Sequence, residues 1–183
     1  MLRPPTLPPL AARARAAAGA TAPHARLGVG VVATGLVLAG VGAATHASMI
    51  IGPFAATASL KHAAPRNPLV QPRNIVGGYL VGTLVGVAAG LVFGPTVIAT
   101  IGTAALAAVL LMALGVEHPP AIAMAVVAVQ APTAHVIQIA LVGAIAMVLT
   151  MAALAPALHR ERWPLRPARS LADPRHGAVE PPR

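Results

Sequence analysis

The sequence has 183 residues, 57% of them hydrophobic and only 9% charged, against about 45–50% and about 25% in ordinary soluble domains, which argues against a water-soluble fold. Thirteen Lys and Arg stand against four Asp and Glu, a formal charge of +9. The basic residues flank apolar runs, so they read as membrane topology signals that also meet anionic lipid, and a nucleic-acid partner is not expected.

Residues 1–26 are Ala- and Pro-rich and broken by Arg3, Arg13, Arg15 and Arg26. They lack the continuous apolar core of a signal peptide and are expected to form a disordered, basic cytoplasmic tail. The first long apolar run follows at 27–44, close to the ~20 residues a helix needs to cross ~30 Å of hydrocarbon. A shorter run at 49–60 is interrupted by Gly52 and Pro53. After a loop with Lys61, Arg66 and Arg73 come long runs at 75–93 and 97–116, a short one at 119–130 opened by Pro119 and Pro120, and a long one at 136–158. Residues 159–183, with six Arg and five Pro, read as a second disordered basic tail.

Lipid offers the backbone no hydrogen-bond partner, and these runs lack the alternation of barrel strands. The expected fold is therefore an all-α integral membrane protein, a polytopic bundle of four long transmembrane helices and two short Gly/Pro-broken ones spanning 27–158. If all six runs cross, every Lys and Arg falls on one side, and connections 45–48, 94–96 and 131–135 carry none. The positive-inside rule makes that side cytoplasmic, with both ends inside a bacterial inner membrane. The alternative is that the short runs dip in and return. Three crossings per half also suggest a 3+3 inverted repeat of 27–93 and 97–158, on hydropathy alone, and paired interrupted segments point to a transporter's site.

Pro53, Pro119 and Pro120 suit the first turn of a helix. The short helices would then present N–H groups and a positive dipole end to an anion, with Gly52 and His118 at the capping positions. The plainer reading is that these prolines only punctuate the chain. Glu117, the one acidic residue before position 160, adjoins His118, and an ionisable pair beside a span suggests function, with an interfacial position as the plain alternative. Gln71, Pro72, Arg73 and Asn74 lead into the second long run, with Asn74 as N-cap and Arg73 at the helix end whose dipole disfavours a cation. A bound anion would relieve that, whereas a topological anchor needs none. Phe54 and Thr57 complete the candidate set. Gly78, Gly82, Gly86 and Gly90, at spacing four, read as a close-packing stripe. His46 and His135 have no Cys or carboxylate nearby, so no metal site is expected, and no cofactor. The nucleotide-binding, metalloprotease and serine-hydrolase motifs are absent, so no enzyme is expected.

Three motifs in order, GPFAATA at 52–58, NPLVQPRNIVGG at 67–78 and HPPA at 118–121, resemble the HPP family of integral membrane proteins over roughly 26–158. The resemblance implies four transmembrane helices and, since some relatives are linked to nitrite transport, passage of a small anion such as nitrite. The expected partners are lipid, the anion and a second copy of the chain. The other function class left open is a non-transporting membrane sensor or scaffold.

Overall fold

In the computed structural model, residues 10–49, 51–160 and 163 are described, side chains from Pro23 onward. Residues 1–9 of the expected N-terminal tail and most of the expected C-terminal one lie outside them, and helix already begins at Leu10, within the stretch expected to be disordered. Among the described residues six α-helices follow in order: α1 (Leu10–Thr45), α2 (Gly52–Ala63), α3 (Pro72–Phe93), α4 (Val97–Ala113), α5 (Pro119–Gln130) and α6 (Ala134–His159), with a 3-10 turn at Pro68–Val70 before α3. Three are long and apolar enough to cross a membrane, over Pro23–Thr45, Pro72–Phe93 and Ala134–His159.

The expected fourth long helix is shorter, since α4 has 17 residues. Its end is fixed locally. Gly115 takes φ 62, a left-handed conformation that glycine adopts without penalty, and its N–H bonds to the Met112 carbonyl at 3.0 Å. The Val116 N–H bonds to the Leu111 carbonyl at 3.0 Å, and Val116 packs with Leu111. This pair of bonds with its apolar contact is a Schellman stop, which closes the last turn of α4 and directs the chain into His118. At the opposite end of α3, Gly94 at φ 68 makes the turn into α4, where the Thr96 hydroxyl caps the Ala99 N–H at 3.2 Å.

The helices traverse the bundle in alternating directions. Gly42 of α1 lies against the residues before α2, whereas Gly30 and Thr34 lie against His62 at its end, so α1 and α2 are antiparallel. On α3, Gly78, Gly82, Gly86 and Gly90 meet His118, Ala121, Ala125 and Val129 in turn, which makes α3 and α5 parallel. The close-packing reading of this stripe holds: a methyl on Gly82 or Gly86 would collide with the Ala121 or Ala125 carbonyl of α5. The short helices therefore run from one end of the bundle to the other and do not turn back. The halves do not pack as equivalents, however. α3 lies along α5, while the equivalent pair of a repeat, α6 and α2, touches only slightly, so a structural repeat does not follow from the hydropathy pattern.

His62 meets His159, and Arg73 reaches Leu114, which gathers the α2–α3 and α4–α5 connections and the end of α6 at one end of the bundle. Arg26, Lys61, Arg66, Arg73 and Arg160 belong there. The exterior is apolar, with Val32, Leu36, Leu91, Ile98, Ile101 and Leu149 more than 60% exposed, while Thr34, Thr57, Lys61, His62, Thr83 and His118 are buried. That inversion of a soluble protein's pattern suits a hydrocarbon solvent.

Candidate functional site

Pro53 and Phe54 open α2 and are buried, with Pro53 in the first turn, where its missing N–H costs nothing. Ile51, not Gly52, is the N-cap. One turn on, Thr57 is fully buried and its Oγ1 lies 2.8 Å from His118 Nε2, 2.8 Å from Tyr79 Oη and 3.1 Å from the Pro53 carbonyl. His118 is the N-cap of α5, as the sequence suggests, but its side chain caps nothing. Its Nδ1 lies 2.8 Å from the Leu69 carbonyl, in the 3-10 turn before α3.

These bonds fix the protons. A carbonyl only accepts, so Nδ1 carries hydrogen and donates to Leu69, and in the neutral ring Nε2 is an acceptor. Thr57 then donates to Nε2 and accepts from the Tyr79 hydroxyl. The order is Tyr79 to Thr57 to His118 to Leu69, and every member is satisfied, which keeps the burial of four polar groups tolerable. The Thr57 proton has a second acceptor in the Pro53 carbonyl. A proton arriving on Nε2 could be donated to Thr57 Oγ1 while Thr57 turns to Pro53, so the node accommodates either charge state of His118. The apolar frame is tight: the Phe54 and Tyr79 ring centroids are 5.0 Å apart, those of Tyr79 and His118 5.4 Å, and Phe54 fills the space a side chain at Gly143 would need.

Of the residues expected from sequence, the structure brings together Pro53, Phe54, Thr57 and His118, with Pro119 and Pro120 behind His118. It leaves Gln71, Arg73, Asn74 and Glu117 outside. Gln71, not Asn74, is the N-cap of α3, because Pro72 occupies the first turn. Asn74 donates to the Pro68 carbonyl at 3.0 Å, and Gln71 to the Asn67 carbonyl at 3.3 Å. Arg73 is exposed and reaches the Leu114 carbonyl at 3.5 Å, and Glu117 is exposed. The helix starts themselves have little to give an anion. Pro119 and Pro120 have no N–H, and Ala121 already donates to the His118 carbonyl at 2.8 Å, so the first three positions of α5 are spent. In α2, Phe54 and Ala55 donate to the Ile51 carbonyl at 3.1 and 3.2 Å. Side chains, not free backbone N–H groups, are what the site presents.

Sequence reasoning missed Tyr79. It is the chain's one tyrosine and sits inside an apolar span, and a phenol there must find a partner, which was the available signal. A space of about 160 Å³ beside Glu117, His118 and Pro119 has mainly apolar walls, including Leu111 and Ile122.

Among known proteins, no curated protein and no solved structure matches the chain. The family model described as HPP, transmembrane region, matches residues 16–164, most of the chain. The buried His118 ahead of Pro119 and Pro120, locked to Thr57 inside a helical bundle with an apolar exterior, is where that family's name-giving motif falls, and the chain belongs to the HPP family of membrane proteins.

Proposed function

We propose that the chain carries a small anion across the membrane, as a transporter or channel, with nitrite the substrate that the family resemblance suggests. The observation that supports this reading is the Tyr79–Thr57–His118 node: a buried polar cluster at the meeting of two short, proline-started helices, where a purely structural bundle would gain more from apolar packing. The bundle represents a closed state. Separation of α2 from α5 would free the Thr57 and Tyr79 hydroxyls as donors, and His118 would join them once Nε2 is protonated. Anion binding and proton uptake would then be one event, so uptake would be faster from an acidic outer solution. The positive end lies in the cytoplasm of a bacterium's inner membrane in this reading, with both termini there.

A second reading, a non-transporting sensor or scaffold, is favoured by the internal satisfaction of the whole node. Proteoliposome uptake separates the two. Nitrite should accumulate, compete with other small anions and slow by at least about tenfold in Thr57→Val, the loss of about one charge-assisted hydrogen bond. Protein that reconstitutes in full and passes no anion at any pH would leave the scaffold reading standing.

A further inference from the structure

A threonine inside a helix can bond its hydroxyl to the carbonyl one turn back, and four threonines of this bundle do so. Thr45 reaches the Val41 carbonyl at 2.8 Å, Thr57 that of Pro53 at 3.1 Å, Thr100 that of Thr96 at 2.8 Å and Thr150 that of Ala146 at 2.7 Å. Thr34 turns its hydroxyl to His62 instead. Thr83, in the middle of α3, does neither. It is 1% exposed, and its Oγ1 is a buried polar atom without a hydrogen-bond partner.

Its neighbours have nothing to give it. The buried residues of α5 are all apolar, and Thr150, the one buried hydroxyl of α6, is already bonded to its own helix. A buried hydroxyl left without a bond costs stability, whereas valine has nearly the same shape and nothing to satisfy. Packing alone therefore gives no reason for a threonine here, while a hydrogen-bond acceptor arriving from outside the chain gives one.

The position tells where that acceptor comes from. Thr83 stands four residues after Tyr79 and shares its face of α3, about 6 Å further from the basic end of the bundle. Both belong to one helix, so separation of α2 from α5 frees the Tyr79 hydroxyl without changing its spacing from Thr83.

We propose that Thr83 donates its hydroxyl hydrogen to the anion once the bundle opens, as the next binding position beyond the Tyr79–Thr57–His118 node toward the end opposite the basic connections. The inference rests on the transport reading. The ligand class is a small oxyanion, whose oxygens accept what Tyr79 and Thr83 can only donate to it.

The test compares Thr83→Val and Thr83→Ser with the parent, each as the full chain, by nitrite uptake into proteoliposomes and by thermal midpoint in detergent. Thr83→Val should melt no lower than the parent, since it removes an unbonded hydroxyl. Its uptake at low nitrite should nevertheless fall about tenfold, the loss of one hydrogen bond to a charged group. Thr83→Ser keeps the hydroxyl and should stay within about twofold of the parent. Parent-like uptake by Thr83→Val would overturn the inference and leave the transport reading intact, whereas a parent that passes no anion would remove both. A lower midpoint in Thr83→Val would reveal a structural bond for the hydroxyl, and an equal loss of uptake in the two variants would assign the effect to packing; either result overturns the inference as well.

Discussion

His118 stands in the connection ahead of α5, and burial pushes its pKa from 6.5 down to about 4, against the opposing effect of its bond to the Leu69 carbonyl. The folded chain therefore keeps it neutral at pH 5–8, the range in which an ordinary His titrates, with Thr57 as the donor to its Nε2. Between pH 6.5 and 4 the unfolded chain holds a proton there that the folded chain does not. Its contribution to stability is thus complete above 6.5 and is lost as the pH falls through that window. Thermal midpoints in detergent should drop more steeply from pH 7 to 4.5 for the parent than for His118→Asn, whose amide keeps a donor toward Leu69 and does not titrate. Parallel curves would place the protonation elsewhere. The identity of His118 was legible in the sequence because it precedes two prolines at the end of an apolar run. Tyr79, Thr34 and His159 were not, because hydropathy registers how apolar a window is and not which polar atom, up to 97 residues away, faces which.

At the scale of elements, existence was easier to read than extent. All six runs became helices because each is apolar and bounded by Gly, Pro or charge, yet α4 stopped short of the expected position 116 because a left-handed glycine inside an apolar run leaves no hydropathy signal. That stop changes what the prolines of α5 do. Since Gly115 already terminates α4, replacing Pro119 and Pro120 by Ala should not fuse α4 to α5. It adds two N–H groups at the start of α5 and is expected to leave insertion intact, with uptake reduced less than in Thr57→Val; a loss as large as that of Thr57→Val would return the anion site to the helix start. The glycine stripe gives the complementary case. Gly86→Leu meets backbone and cannot be accommodated by a rotamer change, so destabilisation of about 1–3 kcal/mol or more is expected in detergent unfolding. Gly102→Ala on α4, where nothing lies within 4 Å, should be neutral or gain up to about 1 kcal/mol. Equal effects at the two positions would mean that α3 and α5 are not in close contact.

For the whole molecule, charge placement proved the most dependable guide, since the basic connections gather at one end and both short helices run through. A cysteine at exposed Arg66 should be protected from an impermeant reagent added outside intact cells, while one at exposed Thr96 should be labelled; labelling at both would contradict through-running short helices. The parallel course of α3 and α5 has a consequence for biosynthesis. Two neighbours that point the same way cannot be joined by a hairpin, so α3 must leave the translocon and wait in lipid while α4 is threaded back and α5 emerges. Its glycine face is meanwhile bare, and tolerable only because lipid tails, unlike water, exact little for an unfilled apolar groove. The Thr57 to His118 bond, spanning 61 positions, can close only after four of the six described helices have been made, so the polar heart of the bundle is completed in the second half of its assembly.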